Sequence, residues 1–354
     1  MSKLLICGDV HWSTYSSIIR RRGNKYSKRL ENLINSVNWV EEMAEQYGCE
    51  KIIYAGDFFD RSDMNAEELT ALQEIIWAPV NHTMLIGNHE GLTNDLSLSS
   101  SHVFKLIPNV KVIDKPELDS GFGYRLLYLP YILEKDRKQS VAQYITELNA
   151  GYFETQECKI NIAISHNDIK MQYGSFECTD GFLPDDIDSS VNFFFNGHLH
   201  NGCRFSNSGY NIGNLTGQNF GENAFEHSHQ VIIFDTNTEE ILFLENPYAF
   251  NFYKLDIKST ADLNSKLGKI KNNAIISIKC PEILVKDIKQ TLSENEKVKE
   301  FKVIGAIDRK QSEELKDSVE ELNFVNHLEA FVTYVKDNVA LNDLVLAELN
   351  EVCK

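Results

Sequence analysis

LLICGDVHW, residues 4–12, sets an apolar run of strand character directly against a short polar motif, and the same arrangement recurs four times. The other stretches are KIIYAGDFFD (51–60), TMLIGNHE (83–90), INIAISHND (160–168) and NFFFNGHLH (192–200). Asp, Asn and His are the side chains that hold hard or borderline divalent cations through oxygen and imidazole nitrogen. One such motif arises by chance, and a lone histidine is ordinarily a core or surface residue. Five in series at equivalent strand ends predict a dinuclear metal centre.

Asp9 and His11 stand two apart, so in extended backbone they would point the same way and reach one ion. Asp57 ends the second run and is the expected carboxylate bridge; Asn88 ends the third and offers a neutral carbonyl oxygen. His166 follows the fourth run, and His198 and His200 repeat the two-residue spacing. Two ions about 3.5–4 Å apart can present a hydroxide for in-line attack on phosphorus. The leaving group still needs a proton. His89 sits beside Asn88 without being needed as a ligand, which makes it the expected general acid. Asp60, alone a loop or cap carboxylate, is expected to orient His89 and hold it protonated.

The runs at 4–7, 51–55, 83–86, 110–113, 125–129, 160–164, 192–195, 231–234 and 240–244 predict strands, mostly continuous in apolar character and so covered on both faces. Leu30, Leu33, Ile34, Val37, Val40, Ala44 and Tyr47 form a helical stripe that stops at Gly48. A second helix should start at Asn65, with Glu68 three residues on, and run towards Trp77. Strand and helix alternate until about residue 190, after which strands follow alone. The expected fold class is α/β, a layered sandwich of two mixed β-sheets flanked by helices over 1–246. Residues 247–310 form a small α/β cap with strands at 252–257, 274–279 and 299–304. Residues 311–321 are a charged linker, and 322–354 hold a helix pair.

A chain of 354 residues with 42% hydrophobic content can bury a large core plus an appendage. Seven cysteines, an odd number without a CxxC pair, suit reduced thiols in a cytoplasm. No apolar stretch is long enough to span a bilayer, and the apolar N-terminal run is too short for a signal peptide. A net charge of −17 argues against a chain that coats nucleic acid unaided, though not against a nuclease. One basic cluster stands apart: Arg20, Arg21, Arg22, Lys25, Lys28 and Arg29, interleaved with Tyr15 and Tyr26 directly after the first motif. Such runs are usually solvated loops; beside a metal mouth these six would neutralise backbone phosphates without reading bases.

The ordered motifs resemble the calcineurin-like metallophosphoesterase superfamily over about residues 1–245. That resemblance implies one ion on Asp9, His11, Asp57 and His200 and the other on Asp57, Asn88, His166 and His198. Within the superfamily the chain looks like the SbcD-type DNA exonuclease subunit, including its bacteriophage recombination versions. IGNLTGQNFGE (212–222) resembles that branch's segment ending in Phe-Gly-Glu, and the unit at 250–305 matches its DNA-contacting cap in position. LNFVNHLEAFVTYVKDN (322–338) resembles the element that docks on an SbcC-like ABC-type ATPase. Leu328, Phe331, Val332 and Val335 form one apolar stripe there; Leu341, Leu344, Val345, Leu349 and Val352 form another. No GxxxxGK[ST] loop occurs, so ATP hydrolysis would belong to the partner.

The resemblance thus implies a manganese-dependent DNA nuclease, homodimeric and cytoplasmic (in a host cell if of phage origin). It would be a 3′-to-5′ exonuclease with endonuclease action on hairpins or single strands. Magnesium, zinc, iron and cobalt remain open as the ion. GDFFDRS followed by GNHE also resembles the phosphoprotein phosphatases, with Ser62 in place of their glycine and SHND in place of a Ser-His-Gly-Gly-like motif. A phosphomonoesterase is therefore the alternative, and a nuclease-silent scaffold for the ATPase is a third. EHSHQ (226–230) departs from the expected Lys-Gly-aromatic run; His227 and His229 there are expected on a solvent-facing strand edge.

Overall fold

A computed structural model describes residues 2–306, apart from 17, 18, 20, 21, 122, 138, 139, 150–159, 174, 175 and 223. The linker at 311–321 and the partner-docking stripes of Leu328, Phe331, Val332, Val335, Leu341, Val345 and Leu349 lie outside the described residues.

The first sheet contains β1 (Lys3–Cys7), β2 (Lys51–Tyr54), β3 (Asn81–Leu85) and β4 (Val110–Ile113). These run parallel in that order, and β13 (Gln230–Asp235) and β14 (Ile241–Glu245) extend the β1 edge antiparallel. The second sheet is built on β6 (Tyr124–Leu129), β7 (Ile160–Ser165), β10 (Phe193–Asn196) and β12 (Gly209–Asn211), all parallel, with β5 (Glu117–Gly121) and β11 (Cys203–Arg204) antiparallel at its edges. A short hairpin of β8 (Gln172–Tyr173) and β9 (Phe176–Glu177) stands apart.

Alternation along each strand explains the layering. Leu4 and Ile6 of β1 face the second sheet, where they join Ile53, Leu85, Tyr128, Ile162, Ile164, Phe195 and Phe234 in one core. Leu5 and Cys7 point the other way, into a core capped by Leu30, Leu33, Val37 and Val40 of α1 (Lys28–Tyr47). Leu127, Leu129 and Phe194 form a third layer with α3 (Val141–Asn149) and α4 (Pro184–Ser190). Apolar side chains on both faces are why these strands read as unbroken apolar runs. The outermost strand, β14, is the exception to that expectation: Leu242 and Phe243 are each 44% exposed.

Helix boundaries follow local chemistry. Ser27 caps α1 through Leu30 N–H, and Gly48 closes it in the left-handed region at φ 65°. Asn65 and Glu68 form a capping box on α2 (Ala66–Ala71), which continues as a 3₁₀ turn only to Glu74, short of Trp77.

After Asn246 the chain builds a separate parallel sheet: β15 (Asn251–Asp256), β16 (Ala274–Pro281) and β17 (Val298–Ala306). α5 (Thr260–Leu267) and α6 (Val285–Ser293) make the crossovers that parallel pairing requires. One face packs Tyr253, Leu255, Ile276 and Ile278 against Leu263, Ile288 and Leu292. The opposite face turns Phe252 and Ile275 towards Ile19 and Phe220, seating the sheet on the first unit.

Candidate metal centre

All five motifs fall in loops at the C-terminal ends of parallel strands, where ligands gather in open α/β sheets. Asp9 and His11 follow β1, Asp57 follows β2, and Asn88 and His89 follow β3; His166 follows β7, and His198 and His200 follow β10. Donor atoms of Asp9, His11 and His200 lie within 4.8 Å of one another, as do those of Asp57, His166 and His198. A third such group, of His11, Asp57 and His89, joins them at the mouth. The seven expected ligands therefore converge.

The donors fit cations on this structure's own terms. His11 Nε2 and His200 Nε2 face each other at 3.1 Å, and Asp9 Oδ2 is buried with no hydrogen-bond partner among the described residues. Asn88 Oδ1 stands 3.2 Å from His166 Nε2 and 3.1 Å from His198 Nδ1, while Asp57 Oδ2 stands 3.1 Å from His166 Nε2. Such crowding of lone-pair donors is what a shared positive charge would relieve.

The convergence of Asp9 with His11 does not come from extended backbone, as expected from the sequence. His11, Asp57 and His198 lie at φ 52°, 46° and 72°, the left-handed region that side chains other than glycine adopt only under strain. The loops are held there by each other. Val10 and His11 donate their N–H groups to Asp57 O, Asp57 Oδ1 accepts from His89 N–H, and Asp9 Oδ1 accepts from His198 N–H. Close packing fixes the glycines: a Cβ on Gly56 would stand 2.2 Å from His166 Nδ1, and one on Gly87 would stand 2.1 Å from Asp57 Oδ1.

Asp60 stands between two histidines. Its carboxylate lies 4.0 Å from His89 Nδ1, the expected partner, and closer, at 3.2 Å, to His11 Nδ1, so its charge reaches a ligand as well as the general acid. The His11 contact is an ion-pair distance without hydrogen-bond alignment. His89 Nδ1 instead meets the Asp60 main-chain oxygen at 3.0 Å. The loop after β2 runs beside the loop after β1, with Trp12 bridged to Phe59 and Asp60 N–H 3.4 Å from Trp12 O, which brings the Asp60 side chain to His11.

Three carboxylates escaped the sequence reading as contributors. Glu222 Oε1 lies 3.0 Å from His200 Nδ1, and Asp168 Oδ1 lies 3.1 Å from His198 Nε2. Glu90 is buried and accepts from Phe59 N–H and Gly87 N–H, tying the second loop to the third. Burial, and then Asp57, raise its carboxyl to about 7. Asp168 and Glu90 close their own motifs, and Glu222 closes 212–222; those positions were the available signal.

The basic cluster is not one surface. Arg29 is buried and donates Nη1 to Gly217 O at 2.7 Å, so it cannot meet nucleic acid as expected. As the second residue of α1 it turns inward beneath the 217–222 loop. Arg22 pairs with Glu67, Lys25 with Glu74, and Lys28 with Glu300; Arg20 and Arg21 lie outside the described residues. Exposed pairs such as the first two cost little to break. His229, expected at a solvent-facing edge, is buried on β13's approach, with Nδ1 3.1 Å from Asn214 O. Burial pushes its imidazole down to about 4.

Burial opposes charge on His11, but Asp60 and then Asp9 raise its imidazole to about 10; against the same burial, Asp57 and then Asp9 raise His166 to about 9. Cations need these imidazoles neutral, so protons and cations compete for the site. Cation affinity is expected to rise with pH up to about 9–10, with protons released on binding. Calorimetry in buffers of different ionisation enthalpy checks this. In the cation-free protein the raised values stabilise the fold fully below 6.5, and that contribution is lost as pH rises through 9 and 10. Melting temperatures after chelation, taken across that window, should fall accordingly and recover on adding manganese.

A family model for calcineurin-like phosphoesterases matches residues 2–202, a span that takes in all five motifs and more than half of the chain. The chain belongs to that family. The phosphoesterase matches no curated protein. Among solved structures, it is similar to an archaeal phosphodiesterase at 13% identity, over 69% of this chain and 99% of that one, with a TM-score of 0.35. A dimetal phosphatase from Danio rerio is similar at 14% identity, over 69% and 99% of the two chains, with a TM-score of 0.39. Likenesses this distant bear on no detail of substrate. The calcineurin-like fold holds two divalent cations, and the donor set described above suits a phosphoesterase of that kind. Among the described residues no helix is long and apolar enough to cross a membrane, and Cys7, Cys49, Cys178, Cys203 and Cys280 are all outside disulfides.

Proposed function

We propose that this phosphoesterase is a DNA phosphodiesterase, the nuclease subunit of a cytoplasmic, homodimeric SbcCD-like assembly, with manganese as the preferred ion. The observation that carries the reading is how Gly217, Phe220, Glu222 and Ala224 join the centre to the third sheet. Gly217 N–H donates to Phe250 O, Ala224 N–H lies 3.3 Å from Phe252 O, and the Phe220 ring packs edge-on against Phe252. Glu222 backs His200. A second folded unit is thereby attached at the rim of the centre, an arrangement that suits an extended polymer more than a small monoester.

When bound, a pair of cations supplies an activated water and neutralises charge on the phosphate. The chain's own groups do the rest. Asp9, His11, Asp57 and His200 would hold one cation, and Asp57, Asn88, His166 and His198 the other. His89, exposed at the mouth with its ring 4.9 Å from that of His11, would deliver a proton to the leaving oxygen. Arg61 is held by Glu68 and Ser13.

Paired assays decide between substrates. Manganese-dependent release of nucleotides from duplex DNA, with no turnover of a phosphopeptide, is the expected result. Turnover of the phosphopeptide alone would replace this reading with a phosphomonoesterase. Cation binding without either activity would leave the scaffold. Capture of an SbcC-like ATPase by the full chain, lost on deletion of residues 322–354, tests the partner.

A further inference from the structure

The two halves of the centre are backed very differently. His11 and His200 meet through their Nε2 atoms, and each turns its Nδ1 onto a carboxylate, Asp60 at 3.2 Å and Glu222 at 3.0 Å. Those two carboxylates are joined by one residue. Gln218 donates its side-chain Nε2 to Asp60 Oδ1 at 2.9 Å and its backbone N–H to both oxygens of Glu222 at 3.1 and 3.0 Å. The result is a hydrogen-bonded chain from Asp60 through Gln218 and Glu222 to His200, which His11 joins at ion-pair distance. Behind it lies the buried guanidinium of Arg29, whose Nη1 holds Gly217 O and whose Nη2 has no hydrogen-bond partner among the described residues.

The other half has a less buried carboxylate behind it. His166 Nδ1 meets the Ala55 carbonyl at 2.8 Å, with Asp9 Oδ1 farther off at 3.7 Å, and Asn88 is neutral. The carboxylate behind His198 belongs to Asp168, whose side chain is 29% exposed, against 20% for Asp60 and 2% for Glu222. Partners behind ligand imidazoles fix their tautomer and orientation and raise their basicity. A buried carboxylate acts through a lower dielectric than a solvated one.

We propose that Gln218 and Glu222 are positioning residues that make the His11–His200 position the tighter of two unequal cation sites, filled first, with the Asn88–His166–His198 position weaker and exchangeable. The inference rests on the dinuclear reading of the centre. Titration of the full chain with Mn²⁺, followed by calorimetry and by the EPR signal of unbound Mn²⁺, should resolve two affinity classes. Glu222→Gln should weaken the tighter class by roughly 10–100-fold and leave the weaker one in place. Gln218→Ala removes one side-chain bond without disturbing the backbone N–H that holds Glu222, and should weaken the same class by a smaller factor. Asp168→Asn should weaken only the other class. Two sites of equal affinity, or a tighter class indifferent to both Glu222→Gln and Gln218→Ala in variants that melt as the parent does, would overturn the proposal while leaving the dinuclear centre standing. A parent chain that binds no Mn²⁺ would overturn both.

Discussion

His89→Ala is expected to leave the fold and both cations in place while lowering phosphodiester cleavage by roughly 10²–10⁴-fold, the usual worth of a positioned general acid. The loop does not depend on the imidazole: its anchor is the His89 backbone N–H on Asp57 Oδ1 at 2.9 Å, which alanine keeps. The ring itself is 43% exposed, so its removal leaves no buried cavity. With Nδ1 donating to the Asp60 carbonyl oxygen, Nε2 is the nitrogen left to face a leaving group. A substrate that departs without protonation separates the roles. On a nitrophenyl phosphodiester the variant should act almost as the parent does, while DNA cleavage collapses. Equal loss on both substrates, or loss of one bound Mn²⁺, would make His89 a ligand, a role its closeness to His11 and Asp57 allows.

Asp57→Asn should have the largest effect of any single change, because the Asp57 carboxylate groups both with His11 and His89 and with His166 and His198. Asparagine keeps the shape and tolerates the left-handed backbone at φ 46°. Its side-chain oxygen still accepts from His89 N–H, and its carbonyl still holds Val10 and His11. Only the charge is lost. Burial works against that charge in the parent, yet the His166 imidazole at 3.1 Å holds the carboxyl well below the usual range. Without it, cation affinity and turnover should each fall by roughly 10³-fold or more, since every 1.4 kcal/mol of lost stabilisation is tenfold. Melting curves give an independent readout: Mn²⁺ should raise the melting temperature of the parent and not of the variant. Two ions bound at parental affinity would remove Asp57 from the bridging position.

Each predicted strand in the two main sheets formed where its apolar run lies, because burial on both faces leaves a signature in consecutive residues. The edges were harder to see. β5 (ELDSG) and β11 are polar or short edge strands, and the polar face of an edge strand looks like a loop; β12, just inside β11, is only three residues long. The same limit applies to Arg29. Its place in a basic run gave no hint that it would sit one helical turn before Leu33 and beneath Gly217, almost two hundred residues away.

What sequence alone determined here is the inventory of donors and their ordering at strand ends, since metal-ligand chemistry and apolar periodicity are both properties of neighbouring residues. Only the tertiary structure decided which acceptor stands behind each imidazole: Asp60 behind His11, Glu222 behind His200, Asp168 behind His198 and a backbone carbonyl behind His166. Those pairings depend on where loops from two sheets meet and on left-handed turns at His11, Asp57 and His198. A turn of that kind redirects every side chain after it, and it is held by contacts from residues far away in the chain.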